Sequence, residues 1–204
     1  MGSIPPVDIL SLIRARRSIR RFESRPIDPS LVDTLLEAAI WAPSAHNRQP
    51  WRFVVIADEA QRRLLADRMA EQLSTELRAD GVSEEVISAD TSRSRARISG
   101  APILFLVCIS MADMDHYPDA ARQNLERTMA VQSASMAAQN LLLMAHAHGL
   151  GTCWLCAPMF CPDVVTDVLK LPADFEPQGL IVAGYPAETR EKSREPLASR
   201  VILR

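Results

Sequence analysis

The chain has 204 residues, 48% of them hydrophobic and 24% charged, with 23 Lys+Arg against 25 Asp+Glu. That length and composition fit one domain, 1–204, with a core large enough to need no disulfide or metal staple. A net charge of -2 speaks against a nucleic-acid partner, and the longest apolar region, Met129–Gly151, is interrupted by Gln132, Gln139, Asn140, His146 and His148, which excludes a membrane span.

Few glycines, sparse aromatics and long Ala/Leu/Arg/Glu stretches favour helices over a turn-rich β-sandwich. The N-terminal MGSIPPVDIL has no charged segment followed by an apolar one, so the expected compartment is the cytoplasm and the four cysteines are expected reduced. Val7, Leu10 and Ile13 have helical spacing and predict a short helix leading into RARRSIRRF. Asp28 and Pro29 are a cap and a first helical residue, opening a helix whose stripe is Leu31, Leu35, Ala38 and Ala39 and which stops before Pro43.

WRFVVIA then predicts a buried strand. Asp58, with Gln61 three residues on, starts an amphipathic helix. The following GVSEEVISADTSRSRARISG reads as a polar surface helix with its arginines in solvent, and PILFLVCIS as a central strand. A long helix spans about Asp119 to His148, with Leu125, Met129, Gln132, Met136, Asn140 and Leu143 on one face and Ala130, Ala134, Ala137 and Ala138 beside them. TCWLCA is a strand candidate, CPDVVTDVLKL a helix opening at Pro162, and QGLIVAGYP a further strand. The mixture predicts an α+β layered domain.

Three stretches carry chemistry. RARRSIRRF places five arginines between Arg14 and Arg21. Arg16 and Arg20 share a face whether the segment is helical or extended, and Ser18 joins them if it is extended. Two guanidinium forks and a hydroxyl suit a phosphate; a solvated basic helix end is the plain alternative. In APSAHNRQPWRF, five polar side chains stand between Pro43 and Pro50, and Asn47 and Gln49 offer amides that match a heterocycle's edge; a loop that merely caps the preceding helix is equally compatible. His146, His148, Cys153, Cys156 and Cys161 are tempting metal ligands, but zinc spacings are absent and Trp154 and Leu155 fill the CxxC, so buried cysteines are expected and no metal. GxGxxG, GxxxxGK[ST] and GxSxG are all absent.

In order along the chain, RRSIRRF, APSAHNRQPWRFVVI, HGLGTCWL and GLIVAGYPAETREKSREPL resemble the motifs of the nitroreductase family of FMN-dependent oxidoreductases, from about Ile9 to Leu197. Within it, the C-terminal half is similar to the flavin domain fused to deazaflavin coenzyme–glutamate ligases; the ligase domain is missing. The resemblance implies a mixed, mostly antiparallel sheet flanked by helices in an intertwined homodimer, with one FMN at each of two subunit interfaces. Arg16, Arg17, Ser18 and Arg20 match positions that hold the phosphate, ribityl chain and pyrimidine edge. Pro43, Ser44, Ala45, Asn47 and Gln49 match a loop that reaches a flavin, often the partner's. Leu150, Gly151 and Thr152 match backbone near the isoalloxazine, and Lys192 and Arg194 a pair closing over the phosphate. GLGTCWLC lacks the acidic residue that many relatives carry near flavin N5. The alanine-rich surface of the long helix is expected in the dimer core.

The implied activity passes hydride from NAD(P)H through FMN to a small acceptor, a nitroaromatic, a quinone or an activated C=C bond, by a ping-pong mechanism. Reduction of a deazaflavin precursor is one such case. A flavin or deazaflavin carrier without turnover and a cysteine-based redox module are the alternatives from other classes.

Overall fold

A computed structural model describes residues 8–204, so Val7 of the first expected helix lies outside the described residues. Helix α1 spans Ile9–Ala15, capped by Asp8, whose carboxylate accepts from the Ser11 amide at 3.0 Å. Helix α2, Pro29–Ile40, starts as its sequence dictates: Asp28 accepts from the Ser30 amide and Pro29 occupies the first turn. Helix α3, Glu59–Ala79, is capped by Asp58 on the Gln61 amide at 2.7 Å. Helices α4 (Glu84–Ser99), α5 (Ala120–Ala147) and α6 (Pro162–Leu169) complete the set, α6 opening at the expected proline. None of the described helices is long and apolar enough to cross a membrane.

Four strands, β1 (Trp51–Ile56), β2 (Ile103–Ile109), β3 (Gly151–Leu155) and β4 (Glu176–Gly184), pair antiparallel in the order β1-β2-β4-β3. Among the described residues the one parallel pairing is a bridge between Ser18 and Thr152, which lays the arginine-rich segment along the free edge of β3. Every residue of β2 is buried, as befits a central strand. β1 is an edge strand, with Val55 37% exposed, so the expectation of a buried strand fails there: its apolar run is continuous, but only one neighbour pairs with it.

The sheet separates two cores because strand side chains alternate in direction. Phe105, Val107 and Ile109 pack with Leu35 of α2 and Ala134 and Leu141 of α5. Leu104, Leu106 and Cys108 pack on the other face with Leu65 and Met69 of α3, Ile98 of α4 and Val165 of α6.

The small residues of α5 correct an expectation. Ala130, Ala134, Ala137 and Ala138 are buried within this subunit, where their lack of bulk lets the helix lie against the sheet and α2. Leu125 and Met136 of the opposite stripe are exposed. Alanine marked the close approach correctly, but the approaching surface is the chain's own. The helix is capped by His148, and the next residue, Gly149, has a φ of +76 that lets the Leu150 amide return to the Ala145 carbonyl at 2.9 Å. That turn delivers β3 to the sheet edge.

A cationic candidate site at the β3 edge

Arg16 caps the end of α1, and from there the chain extends. The Ile19 amide donates to the Thr152 carbonyl at 2.9 Å, and Ile19 itself is buried. Anchoring Ile19 inward leaves Ser18 and Arg20 on the alternate side. Gly151 makes the anchor possible: a Cβ there would stand 2.8 Å from the Ile19 side chain.

The C-terminal segment folds back over this edge. The Glu23 amide donates to the Tyr185 carbonyl and the Ala187 amide to the Arg21 carbonyl. Glu188 accepts from the Arg20 amide at 2.7 Å and from the Arg190 guanidinium. Burial pushes the Glu188 carboxyl up, yet the Arg190 and Arg20 bonds outweigh it and hold the group below its ordinary value.

These contacts bring Arg16, Arg17, Ser18, Arg20, Lys192 and Arg194, from opposite ends of the sequence, around one cavity of about 160 Å³. Arg190 joins them, a residue sequence reading missed although it lies two positions from Lys192. Burial pulls the Arg16 guanidinium below its ordinary value and Arg194 reinforces the shift, while Cys153 opposes it. His146, on the last turn of α5, is lowered by burial and then by Arg16 and Arg17. Two buried polar atoms here have no partner, Arg17 Nε and Thr152 Oγ1. Cations crowded around one cavity, with an orphaned donor among them, leave positive charge without a partner, and an oxyanion such as a phosphate monoester has the chemistry to match it.

The RSRAR segment lies at the surface as expected, with the Arg93 side chain 59% and the Arg95 side chain 42% exposed. Arg95 pairs with Asp67 of α3 at 2.9 Å, but Arg93 and Arg97, one turn apart on α4, turn onto the cleft that holds Arg20 and Arg21. Their spacing of four was the available signal.

Pro43, Ser44, Ala45, Asn47 and Gln49 do not line this cavity. Their loop precedes β1, at the opposite edge of the sheet and at the opposite end of the strands, since Trp51 pairs with Ile109 whereas Gly151 pairs with Gly184. Three strand spacings and six strand residues put the two corners about 14 Å apart across the sheet and about 20 Å along it. The loop is built firmly. Ser44 accepts from the Gln49 amide at 3.0 Å, the Ala45 amide donates to Ser133 of α5, and Arg48 and Arg52 pair with Asp115 and Asp113. His46, Asn47 and Gln49 all adopt positive φ, of 50, 55 and 50°. For His46 and Gln49 that is strained backbone, held by the surrounding bonds.

Leu150 and Gly151 are buried at the β3 edge beside Thr152. The cysteines divide. Burial pushes Cys108 up to about 12 and Cys161 up to about 11, and raises Cys153 as well. Cys156 is exposed and accepts from Trp154 Nε1 at 3.1 Å. Among the described residues no three His, Cys, Asp or Glu side chains stand close enough to hold a metal ion.

Fold and site together define an α+β protein with a cationic cavity at one sheet edge and a strained polar loop at the far corner. The family model described as the nitroreductase family matches residues 13–185, and the chain belongs to that family. It is 31% identical to an NADH dehydrogenase of Thermus thermophilus, over 99% of this chain and 98% of that one. It is 32% identical to a 5,6-dimethylbenzimidazole synthase of Rhodospirillum rubrum, over 87% and 82% of the two chains. Among solved structures it is similar to a nitroreductase homologue of Desulfovibrio desulfuricans in complex with FMN, at 31% identity and a TM-score of 0.74, covering 100% and 98% of the chains.

Proposed function

We propose that this chain is an FMN-dependent oxidoreductase that works as a homodimer and passes hydride from NAD(P)H to a small acceptor, a nitroaromatic, a quinone or an activated C=C bond, by a ping-pong route. The observation that carries the reading is the cluster of Arg16, Arg17, Lys192 and Arg194 around a phosphate-sized cavity beside Ser18 and the β3 edge. Bound there, FMN would supply the two-electron chemistry, since no side chain of the site is itself a redox centre.

The chain's own residues do the rest. Arg16, Arg17, Lys192 and Arg194 would hold the phosphate, and Ser18 beside them would serve the ribityl hydroxyls. Arg20, shared by the small cavity and the neighbouring cleft, would meet the pyrimidine edge, where a guanidinium offsets the negative charge a flavin gains on reduction. Its backbone is fixed by Glu188, so the charge is placed in advance.

The loop Pro43–Gln49 is too far away to reach that ring within one subunit, and it completes the site of a partner copy.

The test is the visible spectrum of the purified protein, with chromatography of any heat-released chromophore, then NADH and NADPH oxidation with a panel of acceptors. Close to one FMN per subunit with turnover supports the reading. A flavin-loaded protein that oxidises neither donor above the free-flavin rate would be a carrier. A colourless protein that takes up no FMN would remove the cofactor itself.

A further inference from the structure

The positive charge at the β3 edge exceeds what one flavin mononucleotide neutralises. Beside the phosphate-sized cavity lies a second cleft of about 450 Å³, sharing Arg20 and Arg190 with it and lined further by Arg21, Phe22, Arg93, Ala96, Arg97 and Gly100. Together the two hold nine cations: Arg16, Arg17, Arg20, Arg21, Arg93, Arg97, Arg190, Lys192 and Arg194. Only two of these have a carboxylate partner among the described residues, Arg93 with Asp90 and Arg190 with Glu188. A phosphate monoester brings a charge of about -2 at neutral pH, and a flavin ring at most one more on reduction.

The surplus is spatially ordered. Arg16, Arg17, Lys192 and Arg194 belong to the small cavity alone, whereas Arg21, Arg93 and Arg97 belong to the large cleft alone. Arg93 and Arg97 come from one face of α4, and Arg21 from the segment bound to β3 opposite them. Ala96 and Gly100, of the same helix end, are too small to fill the space between. Phe22 gives the cleft an aromatic surface. Guanidinium groups on facing walls repel one another, and a multivalent anion between them removes that penalty while gaining bidentate hydrogen bonds.

We infer that this Arg21–Arg93–Arg97 cleft docks an anionic phosphate or carboxylate group carried by the molecule that exchanges electrons with the flavin. The inference rests on the flavin reading above and adds the substrate class: the exchanging molecule is an anion. Two sources share that chemistry, the phosphates of a pyridine dinucleotide and an anionic substituent on the acceptor.

The experiment compares the FMN-loaded protein with Arg93→Gln/Arg97→Gln and, on the opposite wall, with Arg21→Gln. Both sets are solvent-facing enough to leave the cores untouched. Bound FMN per subunit is expected to stay unchanged. If the donor is the anion, calorimetric affinity for 2′,5′-ADP falls about tenfold or more and any NADPH-over-NADH preference in kcat/KM collapses by a similar factor. If the acceptor is the anion, kcat/KM for p-nitrobenzoate relative to neutral p-nitrobenzyl alcohol falls by that factor and donor kinetics hold. Either result supports the cleft.

Unchanged ratios in both variants overturn it, and so does loss of FMN in step with the substitutions, which would assign these arginines to the cofactor. Should the protein bind no FMN at all, the flavin reading fails separately. Titration of 2′,5′-ADP and of p-nitrobenzoate into the unaltered protein and both variants then still decides the cleft, equal affinity for both probes in all three proteins overturning it.

Discussion

His146 senses the charge of the arginine-lined cavity. Its imidazolium is disfavoured first by burial and then by Arg16 and Arg17, so it titrates below the ordinary 6.5. The unfolded chain takes up that proton near the ordinary value, so between 6.5 and the lower folded value the unfolded state binds more protons and stability falls as pH falls. A phosphate held by Arg16 and Arg17 removes their share of the repulsion. Histidine-ring NMR titrations with and without FMN, with His146→Gln for assignment, are expected to show the His146 midpoint rising on FMN addition. A midpoint indifferent to FMN would place the phosphate elsewhere. At the same scale, Gln49 keeps a left-handed backbone that glycine adopts freely. Gln49→Gly is expected to hold or raise the melting temperature by relieving strain worth about 1 kcal/mol, while weakening FMN retention through the lost amide. A drop in both would show that the side chain is structural.

At the scale of elements, the site depends on how closely the Ser18–Arg20 segment lies on β3. Gly151→Ala would drive a methyl group into Ile19, whose branched Cβ has no free rotation to escape. The chain must then lift off the edge, costing about 1–3 kcal/mol. We expect a melting temperature lower by several degrees and FMN affinity down by about tenfold or more, read by thermal unfolding and flavin fluorescence. Retained affinity would mean that the arginines reach the phosphate without this anchor. The elements involved show what sequence can carry. The caps at Asp28 and Asp58, the proline start of α6 and the all-apolar β2 are local signals, set by residues within a turn or two, and each was legible. The edge position of β1 was not, because a strand's neighbours are a property of the whole sheet. The burial of the α5 alanines inside the subunit was hidden for the same reason. Of the site, Arg16, Ser18, Arg20, Lys192 and Arg194 could be matched to family motifs, whereas Arg190, Arg93 and Arg97 join them only through the return of the C-terminal segment and the pitch of α4.

For the whole molecule, one subunit leaves much apolar surface unmatched. Ile9, Leu10 and Ile13 of α1 are 60%, 54% and 47% exposed, and Trp41 at the end of α2 is 79% exposed. Leu12, Ala38, Trp41, Leu143 and Met144 line an open groove of about 390 Å³ between α1, α2 and α5. Near the C-terminus, Leu197, Ile202 and Leu203 are 76%, 81% and 92% exposed. Patches of that kind mark association surfaces. The sheet supplies an independent reason for a partner, because the phosphate cradle and the Pro43–Gln49 loop stand at diagonal corners, and a flavin touched by both must lie between two copies. Trp41→Glu puts a charge into the groove at a residue that is neither in the lining of the arginine cavity nor part of the Pro43–Gln49 loop. A buried aromatic anchor contributes about 2 kcal/mol or more to an interface, so the variant is expected to dissociate at least about thirtyfold more readily. Sedimentation should find the unaltered protein near twice 22.6 kDa and the variant shifted toward 22.6 kDa, with bound FMN lost in proportion to dimer. A monomeric variant that retains its full complement of FMN would show that one subunit suffices, and the far loop would then need another role. A variant that stays dimeric with FMN intact would instead move the interface away from the α1–α2–α5 groove, leaving the C-terminal apolar segment as the surface to alter next.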